Sequence, residues 1–220
     1  AIQDYDRGII MGTTGSFGKG TVQRFMDLDR MVTSADQDYK PLGSLKVTTQ
    51  KFYRINGGAT QLRGVASDIT MTDKFNEIEL GEREQDFVME WDEIKPAAYV
   101  KWQPPYNEKK VVEASEKRMK DNEVMQLVAE NAVRLKDQRE KTKVALNDEE
   151  FTKEQNMLDE ENETYKNLMK PIEGLEVLNL RADLETIEAD TVTADLNEKW
   201  LKKLKKDVYL DEAVNVIKDM

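Results

Sequence analysis

The chain has 220 residues, with 33 Lys plus Arg against 44 Asp plus Glu and a formal net charge of −11. A chain this acidic repels nucleic acid phosphates and anionic membranes, so nucleic acid is not expected as a main partner. It contains neither cysteine nor histidine. Disulfides, the usual zinc sites, a Ser-His-Asp triad and a Cys-His dyad are therefore outside its own repertoire, and its chemistry falls to Lys, carboxylate, amide and hydroxyl groups.

In chain order, Ala1-Ile2-Gln3-Asp4-Tyr5 reads like the tail of a helix, so the chain is expected to be a segment of something longer. Gly8-Ile9-Ile10-Met11-Gly12 is a short apolar run between glycines, the pattern of a buried strand. A glycine-rich turn follows, and then Thr21 to Phe25 and Leu45 to Ile55 read as strands. Asn56-Gly57-Gly58 predicts a hairpin turn because these residues tolerate positive φ, with Thr60 to Leu62 as the returning strand. The stretch from Gly81 through Pro96, Pro104 and Pro105 interrupts regular structure and marks a boundary within 81 to 106.

Beyond it the composition changes to Glu, Lys, Asn and Met with almost no glycine. Val124, Leu127, Val128 and Leu135, and then Phe151, Leu158, Tyr165, Leu168 and Met169, recur at helical spacing and predict amphipathic helices with solvated Glu/Lys faces. The pattern between Leu175 and Thr193 reads as strand, and Leu196 to Leu204 and Leu210 to Ile217 as helix again. The fold class is α+β: a partial mixed-sheet platform in 1–85 and a mainly α-helical domain in 86–220. No segment approaches the roughly 20 apolar residues of a spanning helix, so no membrane span is expected.

The stretch richest in chemical options is Gly12-Thr13-Thr14-Gly15-Ser16-Phe17-Gly18-Lys19-Gly20-Thr21-Val22-Gln23. A phosphate-binding P-loop needs a first glycine where Thr13 stands and a Mg²⁺-binding hydroxyl where Gly20 stands. A Ser-x-x-Lys pair, Ser16 to Lys19, needs a helical turn that Gly18 and Gly20 disfavour. A Ser-Lys dyad with its serine elsewhere needs Lys19 desolvated so that the amine can act as a general base. Gln23 lies four residues on, a spacing that shares one face of a helix or of a strand, so its amide could orient the amine without adding charge. The plain alternative is a surface lysine in a glycine turn.

The run from Ala1 to Gly8, leading to Gly18-Lys19-Gly20-Thr21-Val22-Gln23, resembles the catalytic-lysine region of the C-terminal processing peptidases, also called tail-specific proteases. Lys46 to Arg54 and Gly64 to Ile69 are similar to the strands that follow in that family, with Ser67 where the family usually has proline. Met89 to Tyr99 and Tyr209 to Asn215 resemble the helical extension of its periplasmic branch. The resemblance implies a serine endopeptidase in which Lys19 is the general base and Gln23 orients it. It implies protein or peptide substrates recognised at their C-termini, a periplasmic location, and no cofactor or metal.

In that family the nucleophilic serine follows a Ser-Ala-Ser-Glu-like motif farther upstream than this chain extends, and the only serine before Lys19 is Ser16. The nucleophile, the oxyanion-hole glycine and the PDZ domain are thus expected outside these residues, and the chain alone is expected to be inert. The competing class is a helical docking module for an adaptor protein or a second protomer, presenting Trp102, Tyr106 and Trp200. The same aromatics could instead cap the core between the two halves.

Overall fold

The computed structural model describes residues 1–78, 80–168 and 170–220, the side chains of 164–168 excepted. Its elements run β1 (Met11–Gly12), β2 (Thr21–Asp27), β3 (Ser44–Lys51) and β4 (Ile69–Thr70). Helices α1 (Glu108–Asp121), α2 (Glu123–Glu140), α3 (Asp148–Leu168), α4 (Arg181–Glu188), α5 (Thr191–Leu204) and α6 (Val208–Asp219) follow. The architecture is α+β, small sheets first and helices after. The chain separates into two compact units.

The first unit comprises Ala1–Ile10, Thr14–Ser67 and the stretch that ends at Pro104. Its frame is the antiparallel ribbon of β2 and β3, paired from Thr21 opposite Lys51 to Asp27 opposite Ser44. The register slips between Val22 and Gln23, which face Gln50 and Thr48, so Thr49 is an extra residue bulged from β3. Two short 3-10 turns, Leu28–Met31 and Ser34–Tyr39, join the strands, and Asp27 caps the first by accepting from the Asp29 N–H. Residues Ala1 to Arg7 form a single helical turn closed by the Tyr5 N–H to the Ala1 carbonyl at 3.0 Å. Asp4 is buried and holds that turn to the Asn56 corner. It accepts from Arg54 at 3.0 and 2.5 Å and from Asn56 Nδ2 at 3.2 Å.

The second unit comprises Met11–Thr13, Asp68–Ile78 and Pro105–Met220. Here β1 and β4 pair in parallel, Met11 with Ile69 and Gly12 with Thr70. Ile69, Met71, Val111, Met125, Ala132, Val208 and Val216 form the buried apolar set. Among the described residues, five helices start on a side chain that accepts an otherwise orphaned backbone N–H: Asn107 for α1, Asn122 for α2, Asn147 for α3, Asp190 for α5 and Asp207 for α6. Tyr209 donates to the Thr72 carbonyl at 2.8 Å, tying α6 to the chain just beyond β4.

Several expectations change. The run Gly8 to Gly12 contributes a strand only at Met11–Gly12, and it is half-buried, because its one partner is the two-residue β4. The strand expected from Leu45 to Ile55 stops at Lys51. The turn at Asn56-Gly57-Gly58 forms, with Gly57 at φ +92° and the Arg54 N–H on the Gly58 carbonyl at 2.9 Å. Its return is a single bridge, Tyr53 to Ala59, and not a strand through Thr60 to Leu62. There the backbone curls instead, the Gly64 N–H reaching the Thr60 carbonyl at 2.8 Å.

The stretch Leu175 to Thr193 is not strand. Residues 175–180 have no ladder partner and hold no regular structure, while Arg181–Glu188 and Thr191 onward are helical. Asp190 stops the alternation by capping α5, accepting from the Thr193 N–H at 2.8 Å and its hydroxyl at 2.6 Å. The helices expected around Val124–Leu135, Phe151–Leu168, Leu196–Leu204 and Leu210–Ile217 are α2, α3, α5 and α6. The side chains of Tyr165 and Leu168, and Met169 altogether, lie outside the described residues.

Candidate active site

The lysine loop enters β2 directly, with no helix between Ser16 and Lys19, so the Ser-x-x-Lys pairing on a helical turn does not form. Ser16 is engaged elsewhere: its Oγ accepts from the Val65 N–H at 2.9 Å and its own N–H donates to the Val65 carbonyl at 3.0 Å. A P-loop also requires a helix after the glycine turn so that its N-terminus faces phosphate, and a strand stands there.

Lys19 is exposed at the entrance to β2, and Gln23 lies on the same face of the chain four residues later. The Lys19 Nζ donates to Gln23 Oε1 at 2.9 Å. The even spacing thus brings the amine and the amide together as strand geometry predicts. The burial considered for Lys19 from the sequence is not a property of this chain, because the glycine turn lies beneath its backbone and leaves the side chain outside.

That backbone is tightly held. The Gly18 carbonyl accepts from the Leu62 N–H at 2.8 Å, and the Gly20 carbonyl accepts from the Phe52 N–H at 3.0 Å. The Lys19 carbonyl accepts from Thr60 Oγ1 at 3.4 Å, and the Gly20 N–H donates to Gln61 Oε1 at 2.8 Å. Gly18 sits at φ +91°, where a side chain is strained, and a Cβ on Gly20 would run into the Gln61 backbone N. These two glycines let the lysine loop lie directly on residues 60–62.

Gln61 is buried, and its Nε2 donates to Glu82 Oε1 at 3.3 Å. Glu82 is also buried, and its N–H donates to the Phe17 carbonyl at 2.8 Å. Thr60, Gln61 and Glu82 were missed in the sequence reading. Their residue types carry no signal at those positions; only the turn predicted at Asn56-Gly57-Gly58 hinted that 60–62 would come back toward the glycine loop.

A second polar cluster closes the same end of the ribbon, where the lysine loop enters β2. Lys51, opposite Thr21 in the ladder, bonds Asp92 Oδ1 at 2.8 Å and the Glu90 carbonyl at 2.5 Å, while Tyr53 donates to Asp92 Oδ2 at 3.1 Å. The hydrogen bond from Lys51, with that from Tyr53 beside it, holds the Asp92 carboxyl below the usual carboxylate range. Desolvation, and then the hydrogen bond to Asp92, push the Tyr53 phenol up. Next to this cluster the Arg63 guanidinium lies 3.5 Å from the Trp91 ring centroid, and Trp91 Nε1 donates to the Ala59 carbonyl at 2.9 Å.

Of the three aromatics singled out from the sequence, Trp102 lies in the first unit, its backbone N–H on the Tyr5 carbonyl at 3.0 Å and its ring under Arg7 at 5.8 Å, while Tyr106 and Trp200 lie in the second. Among the described residues no group of three or more carboxylates converges as a metal site, and no helix is long and apolar enough to cross a membrane.

With this geometry in place, comparison with known proteins is specific. Residues 1–71 match the model of Peptidase family S41, a serine peptidase family, and residues 75–220 match the model described as the C-terminal domain of tail specific protease. The chain belongs to the tail-specific protease family, joining part of a peptidase domain to that family's C-terminal domain. It is similar to the tail-specific protease of Haemophilus influenzae, with 49% identity over 100 residues, a match that spans 46% of this chain and 14% of the relative. The resemblance read from Gly18 to Gln23 and from the later segments is thereby borne out.

Proposed function

We propose that this chain is the C-terminal portion of a serine endopeptidase that works through a Ser-Lys dyad, with 1–85 as the catalytic-lysine part and 86–220 as the extension. In the complete enzyme a serine hydroxyl supplied by upstream sequence attacks a substrate peptide carbonyl. Lys19 takes the hydroxyl proton as the C–O bond forms, then returns it to the leaving amine as the C–N bond breaks. Gln23 holds the amine in line through its carboxamide oxygen. A neutral lysine amine needs desolvation, and since Lys19 is exposed in this chain, that cover comes from the remainder of the enzyme. The observation that carries this reading is the 2.9 Å contact between Lys19 and Gln23 in a family-matched segment. By resemblance, the enzyme is periplasmic and takes protein substrates by their C-termini.

The test compares peptidase activity of the full-length native product, its Lys19→Ala variant and the 220-residue chain. The variant is expected to fold and to lose about 10²–10⁴-fold in turnover, the range of a lost general base, and the chain alone to be inert. Undiminished turnover in the variant removes Lys19 from the mechanism. Cleavage by the 220 residues unaided removes the upstream serine.

A docking role for the helical part has one observation in its favour. On α5, Val192, Leu196 and Trp200 recur at four-residue steps, and all three are more than half exposed. This stripe suits an adaptor protein or a second protomer, and Leu196→Glu should abolish capture of such a partner without changing peptide hydrolysis.

A further inference from the structure

The peptide unit between Lys19 and Gly20 is hydrogen-bonded at both ends by consecutive residues, its carbonyl to Thr60 Oγ1 at 3.4 Å and its N–H to Gln61 Oε1 at 2.8 Å. A peptide plane held at both ends cannot rotate, so the direction in which the Lys19 side chain leaves the backbone is set from residues 60 and 61. Gln61 is 1% exposed, so the alternative to its bonds is an unsatisfied buried amide and not a hydrated one.

Gln61 has its own brace. A free carboxamide can turn over and present its NH₂ to Gly20, which would repel the Gly20 N–H. Glu82 Oε1 prevents this by accepting from Gln61 Nε2 at 3.3 Å, because a carboxylate can only accept and so keeps the amide nitrogen on its own side. Glu82 is itself anchored through its N–H to the Phe17 carbonyl at 2.8 Å, one residue before Gly18. Gln61 falls in the segment matched by the peptidase family, and Glu82 in the segment matched by the C-terminal domain of tail specific protease.

We infer that Gln61 and Glu82 are positioning residues for Lys19: a buried carboxylate-to-amide-to-backbone relay by which a residue early in the segment matched by the C-terminal-domain model orients the lysine loop. The inference rests on the proposed role of Lys19. It predicts that the part of the segment matched by the C-terminal-domain model that packs in the first unit contributes to turnover through this relay, apart from any docking.

The test uses the full-length native product and measures kcat, KM and thermal midpoint for Gln61→Met, Glu82→Ala and the double variant Gln61→Glu with Glu82→Gln. The double variant exchanges amide and carboxylate, keeping an acceptor for the Gly20 N–H and a donor–acceptor pair across the 61–82 contact. Gln61→Met is expected to lower kcat about 10- to 100-fold, as misplacement of a catalytic group does, with KM within about twofold. Glu82→Ala is expected to lower kcat less, and the double variant to recover most of it. Unchanged kcat in Gln61→Met, or a double variant as slow as the single ones, overturns the relay. If Gln61→Met yields no folded enzyme, Glu82→Ala and the double variant decide, and full kcat in Glu82→Ala is then the overturning result.

Hydrogen exchange over Gly18 to Thr21 in the same proteins separates the two levels. Exchange at Gly20 is expected to be slow in the parent and the double variant, and faster in Gln61→Met. Slow exchange in the parent together with an active Lys19→Ala variant means the clamp stands while the catalytic reading fails. Fast exchange in the parent removes the clamp itself.

Discussion

Lys19 and Gln23 meet because an even spacing along an extended segment returns side chains to one face, and their 2.9 Å contact follows from it. What prepares the lysine is less local: Gly18 and Gly20 have no side chains, so the loop lies against residues 60–62 and its peptide groups are taken up there. Asp92 shows a similar logic with a measurable sign. Its carboxyl is held low, first by the hydrogen bond from Lys51 and then by that from Tyr53. A carboxyl lower in the folded than in the unfolded state adds stability that is complete above the unfolded value. That stability is lost as pH falls through the folded value. The thermal midpoint of the first unit should therefore decline on acidification below about pH 4, and Asp92→Asn should flatten that decline. An identical acid profile in the variant would exclude the Lys51–Asp92 pair as a contributor.

At the scale of elements, the helices owe their starting points to short polar side chains. Asn122 both ends α1 and begins α2, its Oδ1 accepting from the Val124 N–H at 2.9 Å and the Met125 N–H at 3.1 Å. Met125, which it positions, is buried. Asn122→Ala should cost about 1 kcal/mol by removing the cap, read as a lower urea midpoint with unchanged slope, while Asn122→Asp should retain most of the stability. A loss no greater than that of an exposed control such as Glu130→Ala would show that α2 does not depend on its cap. The ribbon of β2 and β3 is a different kind of element: Phe25, Leu45 and Val22 are exposed along it, and two strands by themselves have little to bury. Its order follows from the clusters at its Thr21–Lys51 end more than from an apolar face.

At the scale of the molecule, among the described residues buried apolar side chains are few and ionic groups supply part of the long-range connection. Within the second unit Glu212 of α6 is buried and accepts from Ser115 Oγ at 2.7 Å and from Arg118 Nη2 at 2.8 Å, both on α1, while Arg118 Nη1 reaches Asp219 at 2.7 Å. Glu212 first, and Asp219 after it, raise the Arg118 guanidinium above its ordinary value. Arg118→Ala leaves Glu212 with a buried charge and only the Ser115 hydroxyl. Because the Arg118 side chain is 34% exposed and water screens the pair, the expected loss is about 2 kcal/mol, below the roughly 3–5 of a fully buried pair. Chemical denaturation of the variant measures it, and a change within about 0.5 kcal/mol would show that the Arg118 ion pairs contribute little to the α1–α6 contact.

Composition, glycine spacing and helical periodicity were enough to read an α+β chain, the turn at Asn56-Gly57-Gly58, the principal helices and the Lys19–Gln23 pair. All of these depend on residues within a few positions of one another, where backbone geometry alone dictates which side chains share a face. The segment Leu175 to Thr193 misled because alternation marks a strand only if a partner completes its ladder, and there Asp190 caps a helix instead. Thr60, Gln61 and Glu82 were illegible for a related reason. A buried amide and carboxylate become favourable only once distant backbone supplies their hydrogen bonds, and Gly20, Gln61 and Glu82 are brought together only by the folding of the first unit around the lysine loop.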